Sequence, residues 1–432
     1  MKVGIVGMGY VGLTLSIASA LRGIKVYGVE KNKKILDSIK KGRAHFYEPH
    51  IDEFLELCIN RNLFVDEGFS EDLDLDGFII TIGTPLNPQT GKVNYEYLLS
   101  ALEGISKNYT GEEWVVLRST ISVGTTRKMI IPHLAKLSGK SPEEIKVAFC
   151  PERTIEGKAI EELYSLPQVI GGNNEESYEL AAGYFKKLTT NIVKVPTLET
   201  AELVKLFNNT YRDVHFAMGN AFNEIAQSFG IDGYLAIEAS NLGYQRSNIA
   251  LPGYVGGPCL EKDPYILSEN MPDHNGKNFV VNSRKYNESL EESVSEWVSS
   301  NFEKDQVIGM SGMAFKGVPE TSDLRGSVAV NIARKIKSMG YEIVLHDFIA
   351  DSNEMSELGL GPTENDFYKL VAKSDGILIM NNNPNYKKID SEKIISENSN
   401  KHFLDSWNAS SLVANSEKNI LVHTLGDYKI SQ

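Results

Sequence analysis

The residues Lys2-Val3-Gly4-Ile5-Val6 run directly into Gly7-Met8-Gly9-Tyr10-Val11-Gly12, and this junction constrains the fold more than any other stretch of the chain. The short apolar run reads as a strand. Residues 11–22, rich in Ala, Leu and Ser, read as a helix. Lys25-Val26-Tyr27-Gly28-Val29-Glu30 reads as a second strand that ends in a carboxylate. A strand, glycine turn, helix and strand in this order favour a parallel sheet. The glycines permit a tight turn and the close approach of a pyrophosphate to a helix N-terminus. Glu30, about 20 residues downstream, is placed to accept hydrogen bonds from ribose hydroxyls and to repel a 2′-phosphate. The pattern therefore implies NAD rather than NADP, a preference softened by Lys31 and Lys33. The candidate cofactor residues here are Gly7, Gly9, Tyr10, Val11, Gly12 and Glu30.

Further buried strands read at 77–82, 114–118 and 146–150. Gly83-Thr84-Pro85-Leu86-Asn87-Pro88 is a loop at a strand's carboxyl end, where α/β sheets bind ligands, and it adds Thr84 to the cofactor candidates. From about Thr197 the period changes. Val204, Phe207, Tyr211, Val214, Met218, Ala221 and Ile225 recur at spacings of three and four, an apolar stripe on a long helix. Helical sequence is expected to continue to the Gly/Pro-rich loop at 251–258 and to resume near 280–300. A second α/β segment begins near Gln306, with Val307-Ile308-Gly309-Met310-Ser311-Gly312 as strand and turn, and later strands at 341–347 and 375–380. The expected fold is α/β, with two doubly wound Rossmann-like domains joined by a long central helix. Its segments are 1–195, binding NAD, 196–300, helical, and 301–432, the second Rossmann-like domain.

A net charge of −13 argues against nucleic acid or an anionic membrane as partner, but leaves room for a small anionic substrate held by local Lys and Arg. No apolar run is long enough to span a membrane. The N-terminus enters a strand at once, without the layout of a signal peptide. Three cysteines cannot build a disulfide framework, so a cytoplasmic protein is expected. They show no paired spacing and no histidine cluster nearby, so no metal site is expected.

One of those cysteines lies in Gly256-Gly257-Pro258-Cys259-Leu260-Glu261-Lys262-Asp263, a glycine-rich loop with a cation and a carboxylate close behind. A cysteine so placed suits a nucleophile. Cys58 and Cys150 lie in helical and strand sequence and read as bystanders. His45, His50, His215 and His346 are scattered and read as structural. Lys205 and Asn209 stand at i and i+4 and share a helix face. Their donors suit an oxyanion.

These motifs, together with Ser119-Thr120, Gly124-Thr125-Thr126, Pro151-Glu152, Phe315-Lys316 and Arg325, resemble the UDP-glucose/GDP-mannose dehydrogenase family, the nucleotide-sugar 6-dehydrogenases, over essentially the whole length. The resemblance implies a four-electron oxidation of a sugar C6 hydroxyl with two NAD, ending in a uronic acid. It implies a Cys259 thiohemiacetal and then a thioester. Lys205, Asn209 and Asp263 are implied as oxyanion stabilisers, Glu152 as base or water-positioning group, and Thr120 as a holder of that water. Glu156 and Arg325 are implied near the cofactor. Tyr254, Gly256, Phe315 and Lys316 are implied near the nucleotide-sugar, with Arg246 reaching it across a homodimer interface.

Pro151-Glu152-Arg153 is similar to the branch acting on UDP-N-acetylhexosamines, such as UDP-N-acetyl-D-mannosamine or UDP-N-acetylglucosamine. Arg153 is accordingly a substrate candidate. Glu156-Gly157 looks more like the glucose branch, and Leu260-Glu261 matches neither, so UDP-glucose or GDP-mannose stays an alternative. Two rivals are a two-electron 3-hydroxyacid dehydrogenase and a non-catalytic NAD-binding sensor. Neither needs Cys259.

Overall fold

The computed structural model describes residues 1–87, 89–269 and 271–425. The last residue of the 83–88 loop and the end of the C-terminal segment, 426–432, lie outside the described residues. The chain divides into two compact units. The first comprises Met1–Asn208 with Tyr265–Pro272, the second Asn209–Pro264 with Asp273–Gln432.

The first unit is built on eight strands: β1 (Lys2–Val6), β2 (Lys25–Val29), β3 (Leu63–Asp66), β4 (Gly77–Ile80), β5 (Trp114–Leu117), β6 (Val147–Phe149), β7 (Gln168–Gly172) and β8 (Ile192–Lys194). They lie in the order β3-β2-β1-β4-β5-β6-β7-β8. All neighbours are parallel except β6 and β7. Covered on both faces, the central strands are apolar throughout rather than alternating, as in Phe78-Ile79-Ile80 and Val115-Val116-Leu117. Separate apolar clusters fill the two faces, one around Leu13, Ile17 and Phe185, the other around Leu98, Leu102 and Leu134. Each such side chain, fully buried, contributes about 1.5–3 kcal/mol against the chain's entropy loss. β3 and β8 are short and partly exposed, too weak in period to read in advance.

The second unit carries β9 (Val307–Ser311), β10 (Glu342–His346), β11 (Gly376–Ile379), β12 (Lys401–Asp405) and β13 (Ile420–Thr424), all parallel, in the order β10-β9-β11-β12-β13. Numbered from its own first strand this is 2-1-3-4-5, the other common doubly wound order. The expected fold class therefore holds, with two parallel sheets and a central helix.

That helix runs Leu198–Ser228, about 46 Å at 1.5 Å per residue. Gly219 sits where the 249–250 backbone crosses it; a Cβ there would lie 2.2 Å from the Ala250 carbonyl oxygen. Helix resumes only at Gly233–Asn241, and 242–256 is irregular, contrary to the expected continuation. Gly243 takes φ +68 and the Asn241 amide pairs with the Ile249 backbone at 2.8 Å in both directions, which ends the helix. Beyond the cysteine loop, helix runs Asn275–Asn301.

Candidate active site

The cofactor candidates gather at the carboxyl ends of β1, β2 and β4, where the strand order reverses. Gly7 has φ +92, in the left-handed region. A Cβ on Gly12 would stand 1.8 Å from the Gly7 carbonyl oxygen, whereas one on Gly9 would meet nothing within 4 Å. Gly12 is thus needed for packing the helix on the turn, and Gly9 leaves open floor. No side chain caps the helix that begins at Tyr10. The Glu30 carboxylate accepts from Met8 N at 3.0 Å and Asn32 N at 2.8 Å, which aims it along the turn. Gly7, Gly9, Glu30, Thr81, Gly83 and Pro85 line a cavity of about 430 Å³. An uncapped helix start, a floor without Cβ and a fixed acid at the second strand's end fit a dinucleotide.

Tyr10 and Thr84 turn elsewhere. The Tyr10 hydroxyl donates to the buried Glu48 carboxylate, which also accepts from Gly157 N and Ala159 N, both at 2.7 Å. Burial, then Glu48, pushes the Tyr10 phenol far above its ordinary value. Thr84 is buried and donates to the Thr120 carbonyl. Val11 is half-buried on the same helix turn. Tyr10 and Glu48 together tie the 157–159 segment, next to Glu156, to the start of the helix.

Glu152 follows β6 and is buried. Arg118, also buried, donates to its carboxylate, and Arg153 N and Thr154 N donate to its other oxygen at 2.7 and 2.8 Å. Burial is the largest single influence and raises the acid, but the Arg118 charge and hydrogen bond, the Thr154 amide and the Lys205 charge together outweigh it and hold Glu152 at about 2. So placed, Glu152 is an anion that accepts hydrogen bonds, and a weak proton acceptor. The Arg153 side chain donates to the Pro167 carbonyl. Arg118 further contacts Cys150 Sγ at 3.3 Å and Gln168 Oε1 at 3.1 Å. Burial pushes the Cys150 thiol up to about 12 and the Cys58 thiol up to about 11, which keeps both as inert thiols.

Cys259, half-buried, is the most accessible of the three cysteines. It lies in a single helical turn, Gly257–Leu260. Gly257 has φ +94, and a Cβ there would stand 2.4 Å from the Phe315 ring. One on Gly256 would stand 2.5 Å from the Gly326 carbonyl oxygen, which already accepts from Gly257 N at 2.6 Å. The double glycine is therefore a steric requirement of this loop. Four residues on, Asp263 is fully buried, with Oδ2 accepting from Asn209 Nδ2 at 2.6 Å and Oδ1 paired with Lys262 Nζ at 2.9 Å. Lys205, also buried, stands one helical turn before Asn209.

The nucleotide-sugar candidates Tyr254, Gly256, Phe315 and Lys316 line one cavity of about 1250 Å³. Its floor comes from the loops after β9, β11 and β12, including Asn382, Lys387 and Trp407, where the order of the second sheet reverses. Arg246 is exposed and stacks over the Tyr244 ring at 4.8 Å. Arg325 is exposed and makes a two-pronged pair with Asp323.

Residues 1–189 match the NAD binding domain of the UDP-glucose/GDP-mannose dehydrogenase family, 199–289 its central domain and 309–411 its UDP binding domain. The chain belongs to this family. The UDP-N-acetyl-D-mannosamine dehydrogenase of Pyrococcus horikoshii is 30% identical over 419 residues, covering 94% of this chain and 96% of that one. Its namesake from Methanocaldococcus jannaschii is 31% identical over 440 residues, with coverage of 99% and 97%. Among solved structures, the P. horikoshii UDP-D-ManNAc dehydrogenase superposes with a TM-score of 0.86 at 29% identity, and covers 99% of both chains. The UDP-N-acetyl-mannosamine dehydrogenase of Staphylococcus aureus gives 0.84 at 25% identity over 100% of both. The protein is thus an NAD-dependent oxidoreductase of the nucleotide-sugar dehydrogenase family.

Sequence reasoning missed two buried residues that hold candidate site residues in place. Arg118 read only as a strand end, yet it sets the charge of Glu152. Glu48 had no motif around it. His346 reads correctly as structural: it is buried, bonded to Ser311 at 2.8 Å and pushed down to about 4 by that burial.

Proposed function

We propose that the chain oxidises the C6 hydroxyl of a UDP-sugar to the carboxylate in two steps, with UDP-N-acetyl-D-mannosamine or UDP-N-acetylglucosamine preferred over UDP-glucose and GDP-mannose. Bound NAD accepts one hydride in each step. Lys205 and Asn209 stabilise the oxygen at C6 as it becomes anionic, with Asp263 holding the Asn209 amide in place. The aldehyde is then captured by the Cys259 thiolate, forming a C–S bond and a thiohemiacetal. Loss of the second hydride leaves a thioester. Water attacks it, the C–S bond breaks, and thiolate and carboxylate are released, with the two protons of the water passing to solvent. Glu152, ionised and fixed by Arg118, orients that water with Thr120 rather than taking its proton. The observation that carries this reading is the half-buried Cys259 in a loop whose two glycines admit no Cβ, in the same unit as the UDP binding match.

The division into segments 1–195, 196–300 and 301–432 belongs to the same reading and is supported by three successive family matches. The acetamido preference is supported by the names of the relatives and by Arg153. Tyr254, Gly256, Phe315 and Lys316 hold the nucleotide-sugar. Gly7, Gly9, Val11, Gly12, Glu30, Thr120, Glu156 and Arg325 serve the cofactor, with Tyr10 and Thr84 bracing its surroundings through Glu48 and the Thr120 carbonyl. The central helix supports a homodimer. Its outward face carries Phe207, Tyr211 and Ile225, exposed by 55%, 67% and 54%, and a second copy covers that face and brings Arg246 to its partner. Among the described residues no helix is long and apolar enough to cross a membrane, and the three cysteines are free, which supports a cytoplasmic enzyme.

The test is the NADH released per sugar consumed, with UDP-glucose, UDP-N-acetylglucosamine, UDP-N-acetylmannosamine and GDP-mannose in parallel. Two NADH with the acetamido sugars, and no acid from Cys259→Ser, are expected. One NADH per sugar removes the thioester.

A further inference from the structure

The inward face of the central helix carries buried polar side chains that grip backbone. Asn220 Oδ1 accepts from Gly253 N at 2.8 Å, and its Nδ2 donates to the Gly253 carbonyl at 3.0 Å. The same Nδ2 reaches Asn287 Oδ1 at 3.2 Å. Asn287 Nδ2 donates to the backbone and carboxylate oxygens of Asp213, both at 3.0 Å. Arg284 donates to Asp213 Oδ1 at 2.6 Å and, through both terminal nitrogens, to the Val255 carbonyl at 3.3 Å. Its Nε lies 3.3 Å from Glu288. Asp213, Asn220, Arg284 and Asn287 are all buried. They come from two helices, and two of them, Asn220 and Arg284, reach Gly253 and Val255, just ahead of Cys259. Beyond these points the loop is pinned again where Gly257 N meets the Gly326 carbonyl.

A buried ion pair is a poor source of stability beside an apolar pair of the same size, because desolvating both charges offsets their attraction. Short charge-assisted hydrogen bonds do fix geometry, and here Asp213 Oδ1 is held at 2.6 Å by Arg284 and at 3.0 Å by Asn287, although Asp213 Oδ2 and Arg284 Nε have no hydrogen-bond partner among the described residues. We propose that Asp213, Asn220, Arg284 and Asn287 are positioning residues that set the cysteine loop, and through it the approach of the Cys259 sulfur to the aldehyde carbon. The inference rests on Cys259 as nucleophile. Asn220 and Arg284 act directly on the Gly253–Val255 backbone, and Asp213 and Asn287 act by holding those two side chains. A displacement of about 1 Å in such a loop costs on the order of 100-fold in rate, and it falls on the step in which sulfur attacks carbon.

The experiment is a rapid-mixing single turnover of the full chain, in excess over UDP-N-acetylmannosamine, with saturating NAD. Arg284→Lys keeps a charge beside Asp213 but loses the fork to Val255. Asn220→Ala leaves the Arg284–Asp213 pair intact and carries the test if Arg284→Lys does not fold. The first NADH is expected within about twofold of wild type and the second slowed about tenfold or more. A merely structural weakening lowers the amplitude of both phases together, and that result, or a second phase at the wild-type rate, overturns the proposal. Cys259→Ser separates the two readings. If it still yields acid, the nucleophile falls. If it stops after one NADH while Asn220→Ala runs normally, only the positioning role falls.

Discussion

Glu152→Gln is the sharpest perturbation of the first unit. The carboxyl is held at about 2 instead of its ordinary 4.5, against the upward push of its own burial, chiefly by the Arg118 charge. That displacement corresponds to about 3 kcal/mol of stability. Because the folded value is depressed, the contribution is fully present above about pH 4.5 and fades as pH falls toward 2. The glutamine keeps the shape and can still accept from the Arg153 and Thr154 amides. It leaves the buried Arg118 guanidinium without a counter-charge, which costs about 3–5 kcal/mol. For a unit of this size the midpoint should drop by about 10 °C near neutral pH. Urea unfolding of both proteins between about pH 8 and pH 3 reads the difference directly, and it should shrink below about pH 4.5. The double variant Arg118→Met/Glu152→Leu should recover most of the loss, since it removes both charges. A deficit under about 1 kcal/mol near neutral pH, the scale of an exposed pair, would refute the reasoning. So would a deficit that does not change with acid. The same position predicts no limb from Glu152 in the pH–rate profile above about pH 3, so an essential base at higher pH must be another group.

Gly12→Ala drives a Cβ to 1.8 Å from the Gly7 carbonyl oxygen and should weaken NAD binding by about 100-fold or more, measured by nicotinamide fluorescence. Gly257→Ala meets both φ +94 and the Phe315 ring at 2.4 Å. It should lower kcat by about tenfold or more and leave NAD affinity unaltered. Arg153→Leu should reduce the ratio of activity on acetamido over plain sugars by about tenfold; an unchanged ratio removes Arg153 from specificity. Tyr211→Asp on the outward face of the central helix should convert a dimer to a monomer by sedimentation, and an unaltered mass would place the interface elsewhere.

What could be read in the sequence and what could not divide along physical lines. The glycine turn and the cysteine loop were legible because their geometry admits so few residues: Gly12 and Gly257 have no room for a Cβ. The strands β1, β4 and β5 were legible because a parallel sheet buries both faces of each strand. The apolar stripe of the central helix was legible as a stripe, but periodicity carries no direction. In the structure its members lie outward or half-buried, while Glu202, Lys205, Asn209, Asp213, Asn220 and Asn223 lie inward. Read alone, those polar residues look like a solvated face. Their partners are loop backbones distant in sequence, such as Gly124 and Thr126 for Glu202, Gly253 for Asn220 and Leu425 for Asn223. No local pattern records a pairing of that kind. The inward face thus mixes these polar groups with buried Leu198, Ala201, Leu206 and Ala217. Polar groups turned inward need partners, which the loops supply, and apolar groups turned outward need cover, which the proposed second copy would supply. The exposed Phe207, Tyr211 and Ile225 therefore support the proposed dimer, while the polar inward residues tie the helix to loops of its own chain.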